Sequence, residues 1–298
     1  MKSFYLLLSG LAFLFLLSCN KSKDNYDATG SFEATEIIVS SQANGKIVEF
    51  TVNEGEQLQQ GQQVGLIDST QLHLQKMSLL SNQRGVRAQQ PDIRTQTAAI
   101  QEQIRTLERE KARVQRLLAS NAANRKQLDD IESQIDVLQR QLSAQTSTLQ
   151  KNTQNISAQG STLDIQIAQL EDQLEKTRIV SPISGMVLNK YVEMGELAGM
   201  GTPLFKIADT NTLYLRAYVT NDQLAQIKIS DEVTVSVDAG DGKMKPYTGT
   251  LNWISDKSEF TPKTIQTKNE RANLVYAIKI AVPNDGYLKI GMYGEVVF

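Results

Sequence analysis

The chain holds one cysteine, one histidine and one tryptophan among 298 residues, with only six prolines. One His and one Cys cannot assemble the clustered ligands of a zinc site, and they remove most nucleophile chemistry before any motif is sought. His73 stands alone, and the carboxylates are scattered over solvated helical positions. No catalytic, metal-binding or cofactor-binding residue is therefore predicted. Charge of one sign is also missing. The formal net charge is −2, so nothing points to nucleic acid as a partner. Aromatics make up 6% of the chain, and glutamine is frequent, which suits long solvated helices. No apolar run is long enough to cross a bilayer as a helix: the longest, Phe4 to Leu17, has fourteen residues where about 20 are needed.

What is present is a glycine pattern that occurs twice. Gly45, Gly55 and Gly61 are spaced as Gly185, Gly195 and Gly201, at one offset of 140 residues. Val52 matches Val192, Glu56 matches Glu196 and Val64 matches Leu204 at the same offset. Each copy reads as short strands joined by glycine turns, with Pro182 and Pro203 bounding strands in the second. The six glycines are assigned a structural role, supplying positive φ at turns.

The N-terminus reads as a secretory signal. Lys2 precedes the apolar run, which ends in Leu16-Leu17-Ser18-Cys19. That ending resembles a bacterial lipobox. The resemblance implies cleavage before Cys19 and lipid on its sulfur and new amino group, which gives more than the single chain that binds membranes only marginally. Residues 20–31 are polar and are expected to form a flexible leash.

Between the glycine-rich copies, from Ser69 to Thr177, the periodicity is helical. Ile93, Thr97, Ile100, Ile104, Leu107, Lys111, Val114 and Leu118 alternate steps of four and three. Leu128, Ile131, Ile135, Leu138, Leu142, Gln145, Leu149, Asn152 and Ile156 alternate steps of three and four. Sustained spacing of this kind is a coiled-coil seam. The polar link at residues 119–124 is short, so the legs are antiparallel and form a hairpin. Legs of about 50 residues would each reach roughly 75–80 Å. Lys111, Gln145 and Asn152 are polar seam positions that would fix register. A stutter after Gln159 containing Gly160, and Gly85 with Pro91 on the first leg, predict that both legs bend at one height.

Residues 210–298 alternate as strands at Leu213–Val219, Val233–Val237, Tyr247–Ile254, Leu274–Val282 and Gly294–Phe298. Asn221 is placed as the cap of a short helix, Asp222 to Lys228, and Asp241-Gly242 as a tight turn. Five strands and a helix predict a small barrel. Glu259 to Arg271 reads as a long polar loop, and such loops are often functional.

Each glycine-rich copy resembles half of a biotinyl/lipoyl domain. In carriers of that type a lysine on the turn between the halves holds the cofactor. Here the hairpin replaces that turn, and the join at residues 179–184 has no lysine, so carrier function is not expected. At the tip, Arg113, Leu117 and Asn124 are spaced by four and seven. This resembles the Arg-Leu-Ser signature with which periplasmic adaptors dock on TolC-like ducts, with Asn124 standing where the family has serine. The whole order resembles the membrane-fusion, or periplasmic adaptor, family of haemolysin-D type. That order is a signal peptide over 1–18, a lipidated N-terminus and linker over 19–31, and an N-terminal strand with the first lipoyl-like half over 32–68. The hairpin over 69–178, the second half over 179–209 and the barrel over 210–298 complete it. The implied fold class is mixed and mainly β, with a long antiparallel helical hairpin. The implied role is non-enzymatic: a homo-oligomeric ring, anchored in the cell envelope of a diderm bacterium and facing the periplasm, bridges an inner-membrane transporter to a TolC-like outer-membrane channel. The polar loop resembles a segment of adaptors that serve ATP-driven exporters. The chain stops at Phe298 with no further membrane-proximal domain, and both features favour an ABC-type transporter. The competing reading is an envelope scaffold lipoprotein that uses the coiled coil as a spacer.

Overall fold

The computed structural model describes residues 26–260 and 274–298, and the chain order explains the architecture. Strand β1 (Ala28–Glu33) is followed by β2 (Glu36–Ser40), β3 (Gly45–Phe50), β4 (Gln57–Leu58) and β5 (Gln63–Ile67). Helices α1 (Thr70–Ala88), α2 (Ile93–Ala119) and α3 (Arg125–Lys176) form the hairpin. Strands β6 (Arg178–Val180), β7 (Gly185–Lys190), β8 (Leu197–Ala198) and β9 (Pro203–Ala208) return through the glycine-rich region. Then come β10 (Thr212–Val219), a short α4 (Asn221–Leu224), β11 (Glu232–Asp238), β12 (Met244–Phe260), β13 (Leu274–Pro283) and β14 (Tyr293–Val297).

The repeat becomes two interlocked sheets, ordered β2-β9-β7-β4 and β6-β5-β3-β8. The 140-residue offset maps each strand of one sheet onto a strand of the other, so neither half owns a sheet. The backbone follows the same symmetry. The Gly55 amide donates to the Val187 carbonyl at 2.9 Å, and the Gly195 amide donates to Ile47 at 2.8 Å. The Gly61 amide donates to Ser181 and the Gly201 amide to Ser41, both at 2.8 Å. Both halves bury their apolar side in one core around Ile47, Val64, Ile67, Val187, Leu204 and Ile207. Gly55, Gly61, Gly195 and Gly201 hold φ between 77° and 99°, as turn glycines do. Gly45 and Gly185 open strands β3 and β7; Gly45 has a positive φ of 157°, whereas Gly185 corrects the expectation, since it is not among the positive-φ residues. Its constraint is space, since a Cβ there would lie 2.3 Å from the Ala208 carbonyl oxygen.

The barrel closes with six strands in the order β1-β10-β13-β12-β11-β14. The sixth is β1, so residues 28–31, expected to lie in the leash, are strand instead. Ala28, Gly30 and Phe32 point inward, and Phe32 joins Leu213, Leu215, Leu251, Ile278, Ile280 and Val296 in the core. The N- and C-terminal segments meet here: the Phe298 amide donates to the Asp27 carboxylate at 2.9 Å. The short helix is Asn221–Leu224, capped by Thr220 rather than Asn221. Thr220 and Gln223 form a reciprocal capping box. Asp241 and Gly242 take φ of 52° and 70°, the double left-handed turn a tight hairpin needs. Glu259 and Phe260 belong to β12, and residues 261–271 of the polar stretch lie outside the described residues, as do the signal-like segment and Cys19.

The hairpin differs from its expected symmetry. The first leg breaks at residues 89–92 and restarts with Asp92, whose carboxylate caps the Arg94 and Thr95 amides. The second leg is one uninterrupted helix of 52 residues, about 78 Å long. Gly160 is helical and buried within it. Lys76 pairs with Glu171 at 2.8 Å and Arg87 with Asp164 at 3.3 Å, a register that sets Gly160 level with the break in the first leg. Only the proline-bearing leg loosens, because only there is an amide missing and the preceding residue pushed out of the helical region. The seam of α3 is also shifted. Gln145 and Asn152 are exposed, while Thr146, Leu149, Thr153, Ile156 and Gly160 turn inward. The two consecutive steps of four therefore fall at Leu138–Leu142–Thr146, so the stutter lies nearer the tip than Gln159.

Candidate docking interface

Strands β2 and β9 join the lipoyl-like unit to the barrel at Glu36 and Ala208. The hairpin leaves from the opposite end, where the Asp68 amide donates to the Lys46 carbonyl at 2.8 Å and the Ile67 amide to Thr177 at 2.9 Å. The N-terminal segment enters at the barrel rim formed by Ala28, Val219, Tyr276 and Val297, the rim away from the lipoyl-like unit. The molecule thus has two ends: a rim that receives the N-terminal segment, and a hairpin tip far beyond the unit between them.

The tip is built to hold its shape. Helix α2 ends in a left-handed Asn121 at φ 56°. The Asn121 amide donates to Leu118 and the Ala122 amide to Leu117, at 3.0 and 2.8 Å, which closes the orphan carbonyls of the last turn. Asn124 caps α3, its Oδ1 accepting from the Lys126 amide at 3.0 Å. Beneath these caps Val114, Ile131 and Ile135 are buried together, with Leu107, Leu118, Ala123 and Leu128 packed against them.

Of the three sequence-predicted tip residues, Arg113 and Leu117 lie one helical turn apart on the outer face of α2. Leu117 is 40% exposed. The Arg113 guanidinium is 2.5 Å from the Glu110 carboxylate, and that hydrogen bond raises its pKa further above the ordinary arginine value. Asn124 is exposed, and its carbonyl oxygen serves the helix cap. Asparagine therefore has a folding role here that the sequence comparison with serine did not suggest. Lys111 is a seam residue as expected, and it bridges the legs through Glu132 at 2.8 Å.

The tip also carries a basic charge pattern. Residues 113–128 contain Arg113, Arg116, Arg125 and Lys126 and no carboxylate. Arg116 sits in the last turn of α2, where a cation suits the helix dipole. Arg125 and Lys126 begin α3, where cations oppose the dipole at a cost of up to about 1 kcal/mol each. The first turn of α3 has no acidic residue to offset them. A helix start shaped by stability alone would carry Asp or Glu, so helix stability does not account for the exposed basic cap of the hairpin.

Residues 35–210 match the family described as RND MFP, barrel-sandwich hybrid domain, which is more than half of the chain. A UPF0194 membrane protein of Acidithiobacillus ferridurans is 26% identical over 95% of this chain and 89% of its own length. A UPF0194 membrane protein of Citrobacter koseri is 28% identical over 90% and 87% respectively. Among solved structures, MacA from Actinobacillus actinomycetemcomitans aligns with a TM-score of 0.55 at 22% identity, covering 90% of this chain and 76% of that one. The membrane fusion protein Spr0693 from Streptococcus pneumoniae R6 aligns with a TM-score of 0.50 at 18% identity, covering 90% and 96%. At these identities the two structures share the fold.

Proposed function

The chain belongs to the membrane fusion protein family of barrel-sandwich hybrid type, and we propose that it is the periplasmic adaptor of a multipartite exporter. In this reading Cys19 carries the lipid that holds the barrel rim near the inner membrane. An ABC-type transporter engages the barrel side, the hairpin tip meets a TolC-like outer-membrane channel, and several copies stand side by side as a ring. The observation that carries the reading is the separation of the two ends. The N-terminal segment enters at one barrel rim, and a tip capped by Arg113, Leu117, Arg125 and Lys126 stands beyond the opposite end of the lipoyl-like unit. The role needs no catalytic group; it needs reach, a rigid tip and a tether, and the chain supplies the first two from its helices and caps.

The test is site-specific photo-crosslinking in intact envelopes, with the probe at Leu117 and separately at Ile229 on the far rim, followed by identification of the captured proteins. The adaptor reading expects an outer-membrane channel at Leu117 and an inner-membrane transporter at Ile229. Capture of neither, with the protein still membrane-bound, would leave the spacer-lipoprotein reading in its place.

A further inference from the structure

The chain enters the barrel at Asp27, and that point is pinned to the rim. The Asp27 amide donates to the Val296 carbonyl at 2.8 Å, Gln223 Nε2 donates to the Asp27 carbonyl at 2.6 Å, and the Phe298 amide donates to the Asp27 carboxylate at 2.9 Å. Cys19 lies eight residues before this anchor. A fully extended chain of that length spans about 29 Å at most. A lipid on Cys19, as proposed above, would therefore hold this rim within about 29 Å of the bilayer.

The same rim exposes apolar side chains. Ile229 is 61% exposed, Phe260 74%, Leu274 54% and Val297 40%. Phe260 and Leu274 are partners in the β12–β13 register, so they share one face. Ile229 is held out by its own turn. The Asp231 amide donates to the Lys228 carbonyl at 3.1 Å, the Lys228 amide to the Asp231 carboxylate at 2.7 Å, and the Ser230 amide to the Leu251 carbonyl at 2.8 Å. Ser230 completes that turn at φ 80°, a region that residues other than glycine seldom occupy. Ile227, two residues earlier, is buried, so this loop reaches the core and the turn then directs Ile229 away from it.

The arrangement says what the rim meets. The apolar side chains come from separate elements, which suits a fluid apolar phase better than one shaped protein pocket. The charges beside Ile229, Asp222, Asp231 and Glu232 with Lys228, make no basic patch, so attraction to anionic headgroups is not the basis. The tether makes a bilayer the apolar phase kept at high local concentration, where a contact too weak for free partners persists. Exposed apolar side chains so placed mark a membrane contact.

We propose that the barrel rim is itself a lipid-contact surface: Ile229 and the Phe260–Leu274 pair, with Val297 beside them, enter the headgroup interface of the membrane that holds Cys19. The inference rests on the lipid proposed at Cys19 and gives that anchored end a second, apolar hold. A single attachment point leaves a long molecule free to tilt, whereas side chains at separate points of the rim set its axis against the membrane.

The experiment places the full chain, purified from envelopes, in phosphatidylcholine vesicles with no other protein present. Ile229→Cys, Phe260→Cys and, on the opposite rim, Lys243→Cys each carry an environment-sensitive fluorophore, and the vesicles carry a quencher on their acyl chains. The proposal expects quenching at Ile229→Cys and Phe260→Cys several-fold above that at Lys243→Cys, little changed by salt or by added anionic lipid. Phe260→Ser with Leu274→Ser should cut the Ile229→Cys quenching several-fold. Equal quenching at the three sites, a signal that requires anionic lipid, or an Ile229→Cys signal untouched by the serine pair overturns the proposal. Flotation and intact mass of the parent chain separate the two failures. A parent without lipid that does not float removes the anchor reading and the proposal with it; a lipidated parent that floats with an unquenched rim removes the proposal alone.

Discussion

The Lys111 ammonium lies 2.8 Å from the Glu132 carboxylate and joins the two legs of the hairpin just below its tip. Both groups are partly exposed, so the pair is worth about 0.5 kcal/mol in stability and more in register. Glu132→Lys should lower the helix melting temperature slightly and the double exchange Lys111→Glu, Glu132→Lys should restore it. Circular dichroism melts of the four proteins measure the coupling, and equal melts for the single and double variants would show no interaction across the legs.

The seam register can be checked by contrast. Ile135 is 8% exposed and sits in the cluster under the tip. Ile135→Ala should cost about 2–4 kcal/mol, whereas Gln145→Ala, on the exposed face, should stay within about 0.5 kcal/mol. Similar losses for both would return Gln145 to the seam.

Two glycines of the repeat should respond for different reasons. Gly55→Ala meets open space and carries only the strain of a left-handed alanine, about 1–2 kcal/mol. Gly185→Ala drives a Cβ to 2.3 Å from the Ala208 carbonyl and must displace β9. The lipoyl-like unit should unfold earlier in denaturant with Gly185→Ala than with Gly55→Ala; the reverse order would mean the two chains do not pack so closely.

Acid should loosen the barrel end that faces the lipoyl-like unit. Asp285 pairs with Lys245 at 2.5 Å, and Lys245 lies between the Tyr247 and Tyr287 rings, 5.1 and 4.9 Å from their centroids. The Lys245 hydrogen bond, followed by the Tyr287 amide, lowers the Asp285 pKa from 3.8 to about 2. A depressed carboxylate adds stability that is complete above its unfolded value and is lost as pH falls through its folded one. Melting temperature should therefore hold steady down to about pH 4 and fall between there and pH 2, and Asp285→Asn should remove part of that fall. An identical acid profile for the variant would place the loss elsewhere.

Much of this molecule could be read from spacing, and the misses have physical causes. The repeat was legible because turn glycines and buried branched residues cannot move without breaking a turn or emptying a core. The α2 seam was legible because nearly every inward position is apolar. On α3 the inward positions after Leu142 include Thr146, Thr153 and Gly160, which carry little apolar signal, so the heptad was carried one step out of register through Gln145 and Asn152. Strand β1 was missed because its inward residues are Ala28, Gly30 and Phe32, and two small side chains hide an alternation of period two. The resemblance names Arg113, Leu117 and Asn124 as tip residues, but the caps supplied by Asn121 and Asn124 depend on backbone angles that only the folded chain displays.

The central claim is that the hairpin tip docks on another protein, and one comparison tests it most directly. Arg113 and Arg140 each pair with a carboxylate on their own helix, Glu110 at 2.5 Å and Asp136 at 2.7 Å, and both are exposed. Arg113→Glu and Arg140→Glu therefore impose matched local repulsion, one at the tip and one on the hairpin flank. The measurement is crosslinking of the tip to an outer-membrane channel in envelopes, beside the melting temperature of each variant. The account predicts melting within about 2 °C for both and crosslinking lost only for Arg113→Glu. Equal crosslinking by the two variants would contradict it and leave the basic tip as coiled-coil surface.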